Sequence, residues 1–519
     1  MKATRILSMV LALAMVFALA LSGSALADGA VPEVLRVGTS EELGQLLPNS
    51  AAGECGVGDF LVYDMIFYYD ADNNLTSDII DDYHFEDDGF TLVMNVREGV
   101  TFSSGNPLTG EDVLFTLASA QEPDRQAIKS DFELFDFENS YVSDDGYTVY
   151  LKTFDTATAV SQFSMLIQVP VLDKAWVEEN GWTSELWYTA PSGSGPYGVA
   201  DYLTGNTYTF ALRDDWWMAD AGIEYPNEIT LTAYAEKSTM YIDLENGSID
   251  LAIEPSSEDF VRSQDEGDNI EGVFINGNVC NWIVFDVEDP DSATYDIEVR
   301  KAIAHGVDWE QIAVAGKGVM WDPATSSIPS YFPDYIDLGQ YEYDPELARQ
   351  ILADAGYADG DINLYMVIST NAQATGPVLQ AYLADIGINF TFDAFDIPTA
   401  VPLWIEGEGD ISTFAMMGGS AAHDPYWVYK ELASTATMKD NQTVTDTTID
   451  DCLAKALVAE TEEEAHEYYV QIQQWIYDTY RIVPYFEEVN GACFNSDIIS
   501  SVQFNSKQMP DLRNIVYAG

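Results

Sequence analysis

Two clusters in this sequence carry side chains suited to catalysis or to holding a ligand. The first is Gly418-Gly419-Ser420-Ala421-Ala422-His423-Asp424-Pro425-Tyr426-Trp427. Its G-x-S-x-A core has the shape of a hydrolase nucleophile elbow, where a serine on a tight strand-to-helix turn attacks an acyl group. Asp residues and His466 follow it in the chain, as a serine mechanism would require. Ser420 is not set on an evident elbow, however, and the Glu-rich surroundings of His466 read as an exposed helix. A secreted hydrolase is therefore the minor reading. In the binding reading, Ser420, His423 and Asp424 supply hydrogen bonds, while Tyr426 and Trp427 supply flat contact area at low entropic cost. Asp424-Pro425 has a plainer alternative as a turn starter.

The second set of candidates is Asn281-Trp282 and, apart from them in the sequence, Met320-Trp321 on a loop after Gly316-Lys317-Gly318. Each Trp has a competing role in core packing, as expected in a chain with 11 of them. Asn281 and Trp282 lie in Gly272–Val287, GVFINGNVCNWIVFDV, where two β-branched and aromatic runs flank Asn276-Gly277-Asn278. Those three residues permit a turn or a kink. The stretch reads either as a core hairpin or as a strand passing under a ligand.

Other chemistries lack their residues. There is no HExxH, Walker loop or paired CxxC, so metalloprotease, ATPase and zinc-finger readings have no support. Asp70–Asn74 begins like a calcium loop, but its sixth position is Leu75 rather than Gly, which favours a plain turn. Cys55, Cys280, Cys452 and Cys493 show no metal-ligand spacing, and either disulfides or free thiols fit them. The net charge of −66 repels nucleic acid and anionic lipid and marks a strongly solvated surface.

The elements around these clusters suit a large exported protein. Lys2 and Arg5, the apolar run Ile6–Leu21 and Ala25-Leu26-Ala27 read as a signal peptide over residues 1–27. Ser24 stands where a lipobox would need Cys, so the exported chain is expected to be free of a lipid anchor and of membrane insertion. Hydrophobic content of 47% supports two or three packed domains despite the charge. Glu33–Thr39, Tyr83–Glu86, Thr91–Val96 and Val100–Phe102 alternate as strands. Phe60–Tyr69 reads as helical, and Thr109 caps a helix with Glu111 and Asp112 in its first turn. Leu347, Ile351 and Leu352 share a helix face before Gly356, as do Val299, Ile303 and Val307. Asn363–Ile368, Val378–Ile386 and Asn389–Phe392 form a β-α-β unit of an open parallel sheet. Residues 447–481 read as helical, with Ile472, Trp475, Ile476 and Tyr480 on one stripe.

An ordered series of segments then resembles one family. Asp87-Asp88-Gly89-Phe90-Thr91-Leu92, Arg97-Glu98-Gly99-Val100-Thr101-Phe102 and Gly105–Val113 are similar to the signature of bacterial extracellular solute-binding proteins of the peptide/nickel/opine class, with Ser104 where Asp is common. Gly193-Ser194-Gly195-Pro196-Tyr197, Arg213–Trp217, Asn246–Asp250, Val299–Asp308, Tyr343–Ala348, Ile386-Gly387-Ile388 and His423-Asp424-Pro425 continue the series over nearly the whole exported chain. The resemblance implies an α/β, two-lobed periplasmic-binding-protein-like fold (class II type) with an extra α+β domain inserted in the first lobe. Lobe one would be 33–63, 192–276 and 492–519, the insert 64–191, and lobe two 277–491.

The same resemblance implies a monomer that captures a small solute between its lobes, uses no cofactor, and delivers its cargo to ABC permease subunits; a sensory ligand-presenter is the alternative. The chain would cross between lobes at Asn276–Asn281 and Glu488–Ala492, making Asn276, Gly277, Asn278, Asn490 and Gly491 hinge candidates. Asn281, Trp282, Met320, Trp321, Ser420, Ala421, His423, Asp424, Tyr426 and Trp427 would face ligand. In peptide-binding members an Asp takes the peptide amine where this chain has Ala421, and a Trp falls at Gly418. A carboxylate-holding Arg is expected near 366–375, which contains none. A buried amine without a carboxylate costs several kcal/mol, so free-terminus peptides are expected to bind poorly. A peptide binder with a non-standard terminus site is the alternative.

Overall fold

A computed structural model describes residues 31–519 apart from 42, 49–55, 71–73, 123–131, 265–268, 288, 407, 418–424, 434–446 and 506–508. The expected leader, most of the calcium-like loop, Cys55 and the segment 418–424 therefore lie outside the described residues. In chain order the strands used below are β1 (Val34–Thr39), β2 (Ile80–Phe85), β3 (Thr91–Val96), β4 (Tyr141–Val142), β5 (Thr148–Lys152), β6 (Tyr197–Leu203), β7 (Thr207–Leu212) and β8 (Glu228–Ala233). They continue as β9 (Leu251–Ile253), β10 (Ile270–Phe285), β11 (Trp321–Pro323), β12 (Ile362–Ser369), β13 (Ile388–Phe395), β14 (Ile411–Met417) and β15 (Ile482–Asn495).

One mixed sheet of eleven strands runs through both lobes in the order β13-β12-β14-β10-β15-β9-β1-β8-β7-β6, with β11 attached to β15. β1 pairs parallel with β8 and β9, and β12 pairs parallel with β13 and β14. Each half is the open α/β arrangement that β-α-β alternation dictates. Helix Thr375–Asp385 joins β12 to β13 as expected. A separate antiparallel sheet, β2-β3-β5-β4, forms the body between the first and second segments of lobe one.

The apolar periodicity finds its cores. Leu35, Val37, Leu231 and Leu251 fill one cluster, with Phe494 from β15. Val299, Ile303, Val307, Leu364, Leu383 and Phe390 fill another. Ile472 and Ile476 of helix Glu462–Thr479 are buried, with Trp475 partly so. On helix Pro345–Asp354 the core contact is Ala348 rather than the expected Leu347, which is 37% exposed. The helix expected at Phe60–Tyr69 instead spans Gly56–Val62. Met65 and Phe67 then pair with Pro170 and Ile167, so tertiary β-bridging takes this apolar run out of the helix.

Local chemistry explains two details of the signature region. Thr109 precedes helix Gly110–Ala118, and its N–H and Oγ both donate to Asp112 at 2.9 Å. Thr109→Ala is expected to cost about 1 kcal/mol, read as a lower urea midpoint at unchanged slope. Ser104 donates to the buried Asp173 at 2.6 Å, and Ser192 and Asn106 donate to the same carboxylate at 2.8 and 3.1 Å. An Asp at 104 would place a second carboxylate against Asp173. Gly193 and Gly195 lie against Val62, where a Cβ on either would fall 2.0 and 2.7 Å from backbone atoms.

Candidate functional site

The strand directions bring one set of ends together. β1, β8 and β9 run the same way as β10, and β12, β13 and β14 run the same way as β15. The carboxyl ends of lobe-one strands (Thr39, Ala233, Ile253) thus face the carboxyl ends of lobe-two strands (Ser369, Phe395, Met417). Open α/β sheets bind ligands in the crevice outside such ends.

Among the described residues, β10 and β15 are the strands that run continuously across the junction. Gly272–Val287 is one strand over most of its length, not a hairpin. Its first half pairs with β15 from Ile270↔Asn495 to Asn276↔Val489. Pairing resumes at Cys280↔Glu487, so Gly277, Asn278 and Val279 stand opposite the single residue Glu488. The extra residues form a β-bulge, which bends a strand and raises its local twist. Among the described residues, β14 pairs with β10 from Val279, the last residue of the bulge, onward.

Polar side chains gather at the crossing from both lobes. Glu254 follows β9 with a left-handed backbone (φ 53°), and its N–H donates to Gly491 O at 2.9 Å. Its carboxylate accepts from Ser40 Oγ at 3.3 Å and pairs with Lys237 Nζ at 3.8 Å. On the lobe-two side, Glu488 pairs with Lys317 Nζ at 2.8 Å and accepts from Asn281 Nδ2 at 3.4 Å. The lobes touch directly where Val319 N–H donates to Ser257 Oγ at 2.8 Å. Charge pairs and hydroxyls thus flank a bent two-strand ribbon, an arrangement able to make and release hydrogen bonds.

Glu487 is buried beneath this surface. It accepts from Ser330 N at 2.9 Å and Ser330 Oγ at 2.7 Å. Burial pushes its carboxyl up to about 7 from an ordinary 4.5, with Ser330 opposing the rise and Asp322 adding to it. The folded state therefore holds this proton more tightly than the unfolded chain. Its stabilising effect is complete below pH 4.5 and is lost as pH rises through 7. The swing is about 3 kcal/mol. Glu487→Gln is expected to remove most of it, so the variant gains stability relative to the parent between pH 5 and pH 8. Parallel urea-midpoint profiles for the two proteins would contradict this.

The sequence-derived candidates separate into three groups. Asn281, Met320 and Trp321 are at the crossing: Met320 lies against Gly491, and Trp321 pairs with Glu488 while its Nε1 donates to Gly318 O at 3.1 Å. Trp282 has no exposed surface, and Tyr426 is 8% exposed; both belong to the apolar cluster behind the crossing. Ser420, Ala421, His423 and Asp424 lie outside the described residues, and Trp427 is on helix Pro425–Ala433. Asn276, Gly277 and Asn278 are at the bulge, and Asn490 and Gly491 are opposite Ile275 and Phe274. His466, the base of the hydrolase reading, lies 2.9 Å from Asp334 on a lobe-two helix. Cys280, Cys452 and Cys493 are free, buried thiols.

Periodicity did not reveal Ser40, Lys237, Glu254, Ser257, Lys317 or Glu488. The one usable signal was position, since Glu254 and Ser257 follow directly on the short apolar strand Leu251–Ile253.

Opposed strand ends spanned by two continuous strands give the two-lobed arrangement of a solute-binding fold. The model of the bacterial extracellular solute-binding proteins, family 5 Middle, matches residues 74–440, and the chain belongs to that family. Heme-binding protein A of Haemophilus influenzae is 22% identical over 452 residues, covering 82% of this chain and 81% of that protein. The ABC transporter substrate-binding protein CtaP of Listeria monocytogenes superposes with a TM-score of 0.80 at 21% identity, over 94% of this chain and 100% of that one. NikA of Brucella suis, solved with Fe(III)-EDTA, superposes at 0.77 with 18% identity, over 93% and 100%. These structural likenesses speak for the fold.

Proposed function

We propose that this protein is exported, captures a small solute in the inter-lobe cleft by hinge closure, and hands it to the permease subunits of an ABC importer. The observation that supports this most is the crossing: among the described residues, opposed strand ends are linked by β10 and β15, and β10 carries a bulge at the midpoint. Closure turns on Asn276-Gly277-Asn278 and Asn490-Gly491, where a few residues absorb the rotation of rigid lobes. The rotating bodies are 33–63, 192–276 and 492–519 for lobe one and 277–491 for lobe two, with 64–191 as the insert. Asn281, Met320 and Trp321 meet the ligand from the crossing. Ser420, Ala421, His423, Asp424 and Trp427, which follow β14 in the sequence, are the remaining proposed ligand contacts, and Trp282 and Tyr426 lie in the apolar cluster behind the crossing. The protein acts by binding, without a reaction.

The ligand is not an ordinary free-terminus peptide, because Ala421 leaves the amine without its carboxylate. The names of the relatives point to different cargoes, heme in one and peptides in several others, and NikA was solved with a metal chelate, so the test is a broad one. Thermal-shift titration of residues 28–519 against peptides, oligosaccharides, heme, metal chelates and small cations should find a stabilising ligand outside the peptide set. A peptide bound below micromolar concentration through its free amine would overturn the assignment of Ala421.

A further inference from the structure

The insert and lobe two meet at a second seam, away from the strand ends. Thr158 N–H donates to Leu457 O at 2.8 Å, Thr158 Oγ1 to Ala459 O at 2.9 Å, and Ser161 Oγ to Leu457 O at 2.9 Å. These bonds close one side of a cavity of about 150 Å³ walled by both bodies. That volume suits a guest of benzene size. Pockets at domain junctions are the usual place for small ligands.

Aromatic rings and carboxylates line the cavity among small apolar and hydroxyl side chains. Tyr69 and Phe163 come from the insert, and Tyr469 comes from helix Glu462–Thr479. Phe163 is held in place by Phe67, Tyr83 and Phe85, whose ring centroids lie 5.0, 4.9 and 5.8 Å away. Asp334 and Glu462 supply carboxylates from lobe two, and no Lys or Arg lines the cavity among the described residues. Asp334 lies against His466 and is largely shielded from solvent, with 18% of its side chain exposed. Aromatic faces beside carboxylates attract cations by the ring quadrupole and by charge together. An anionic guest would meet repulsion from both.

We propose that this cavity is a second ligand site, for a compact organic cation such as a quaternary or protonated amine, held between Phe163, Tyr69 and Tyr469 and the carboxylates of Glu462 and Asp334. Because its walls belong to both bodies, a guest there favours the state in which insert and lobe two are joined.

The test is isothermal titration of residues 28–519 with choline and with its neutral carbon isostere, in which tert-butyl replaces trimethylammonium. Choline should bind about tenfold more tightly than the isostere. Glu462→Gln, a change at the exposed start of a helix, and Phe163→Leu should each weaken choline about tenfold, with ligand-free thermal midpoints reported beside them as a check on folding. Equal binding of the isostere would overturn the proposal. So would choline binding indifferent to Glu462→Gln, which would place the cation elsewhere, or no choline binding at millimolar concentration.

Discussion

Arg513→Met is expected to destabilise the protein by about 3–5 kcal/mol, because it leaves buried carboxylates without their cation. Arg513 comes from the C-terminal segment, and its guanidinium donates to Asp64 Oδ1 at 3.1 Å and Asp78 Oδ2 at 3.3 Å. Asp64 is fully buried and also accepts from Trp217 Nε1 at 3.1 Å; Asp78 accepts from Tyr68 OH at 3.0 Å. Burial alone would lower the guanidinium's pKa, but Asp64 and Asp78 outweigh it and hold the group well above its ordinary value. Burial already pushes the Asp78 carboxyl up, and Arg513 is the main group opposing that rise. Without the cation, Asp78 should take up a proton on folding, so the loss should be greatest at alkaline pH and ease toward acid. Urea unfolding at pH 5 and pH 8 reads this directly. Asp78→Asn in the Arg513→Met background should recover part of the loss at pH 8. A loss below about 1 kcal/mol would mean that water solvates this cluster.

Gly193→Ala is expected to cost about 3 kcal/mol or more. The new Cβ, whose position the backbone fixes, would fall 2.0 Å from the backbone oxygen of Val62, so neither can rotate away. Relief requires moving a turn whose bonds tie three segments. Gly195 N–H donates to Val62 O at 2.8 Å, Ser103 N–H to Gly193 O at 2.9 Å, and Arg213 Nη1 to Gly193 O at 3.1 Å. Gly198→Ala is the matched control, since its Cβ would meet only the Arg213 side chain at 3.8 Å. A thermal midpoint for Gly193→Ala equal to that of the control would contradict the close approach.

Much of this scaffold was legible because its signals are local. The period-2 and period-3.6 patterns located β12, helix Thr375–Asp385, β13 and the long helix Glu462–Thr479. Asn276-Gly277-Asn278 was readable as a break in Gly272–Val287, and the break proved to be a bulge within one strand. What stayed hidden depends on contacts between distant segments. Trp282 looks amphipathic in sequence, yet its strand turns it into the apolar cluster of the insert and lobe two. Met65 and Phe67 read as helix until the partners Pro170 and Ile167 claim their backbone. Glu254 and Glu488 are two acids among 87 Asp and Glu, and only the crossing distinguishes them from solvated surface. The positive φ of Glu254 carries no sequence mark, since it is not glycine.

Closure of the two lobes on a solute at the strand crossing changes the distance between them. The most direct measurement is the distance between fluorophores on the exposed positions Leu203 and Glu346, one in each lobe, followed by single-molecule energy transfer. The protein should first be stripped of ligand by partial unfolding and refolding, then returned to the small molecules released from its native form. Two populations are expected, with the released fraction moving molecules to the shorter distance, and the shift abolished when a crosslink bridges Ser257 to Val319 beforehand. A single distance, unchanged by the released fraction, would contradict it.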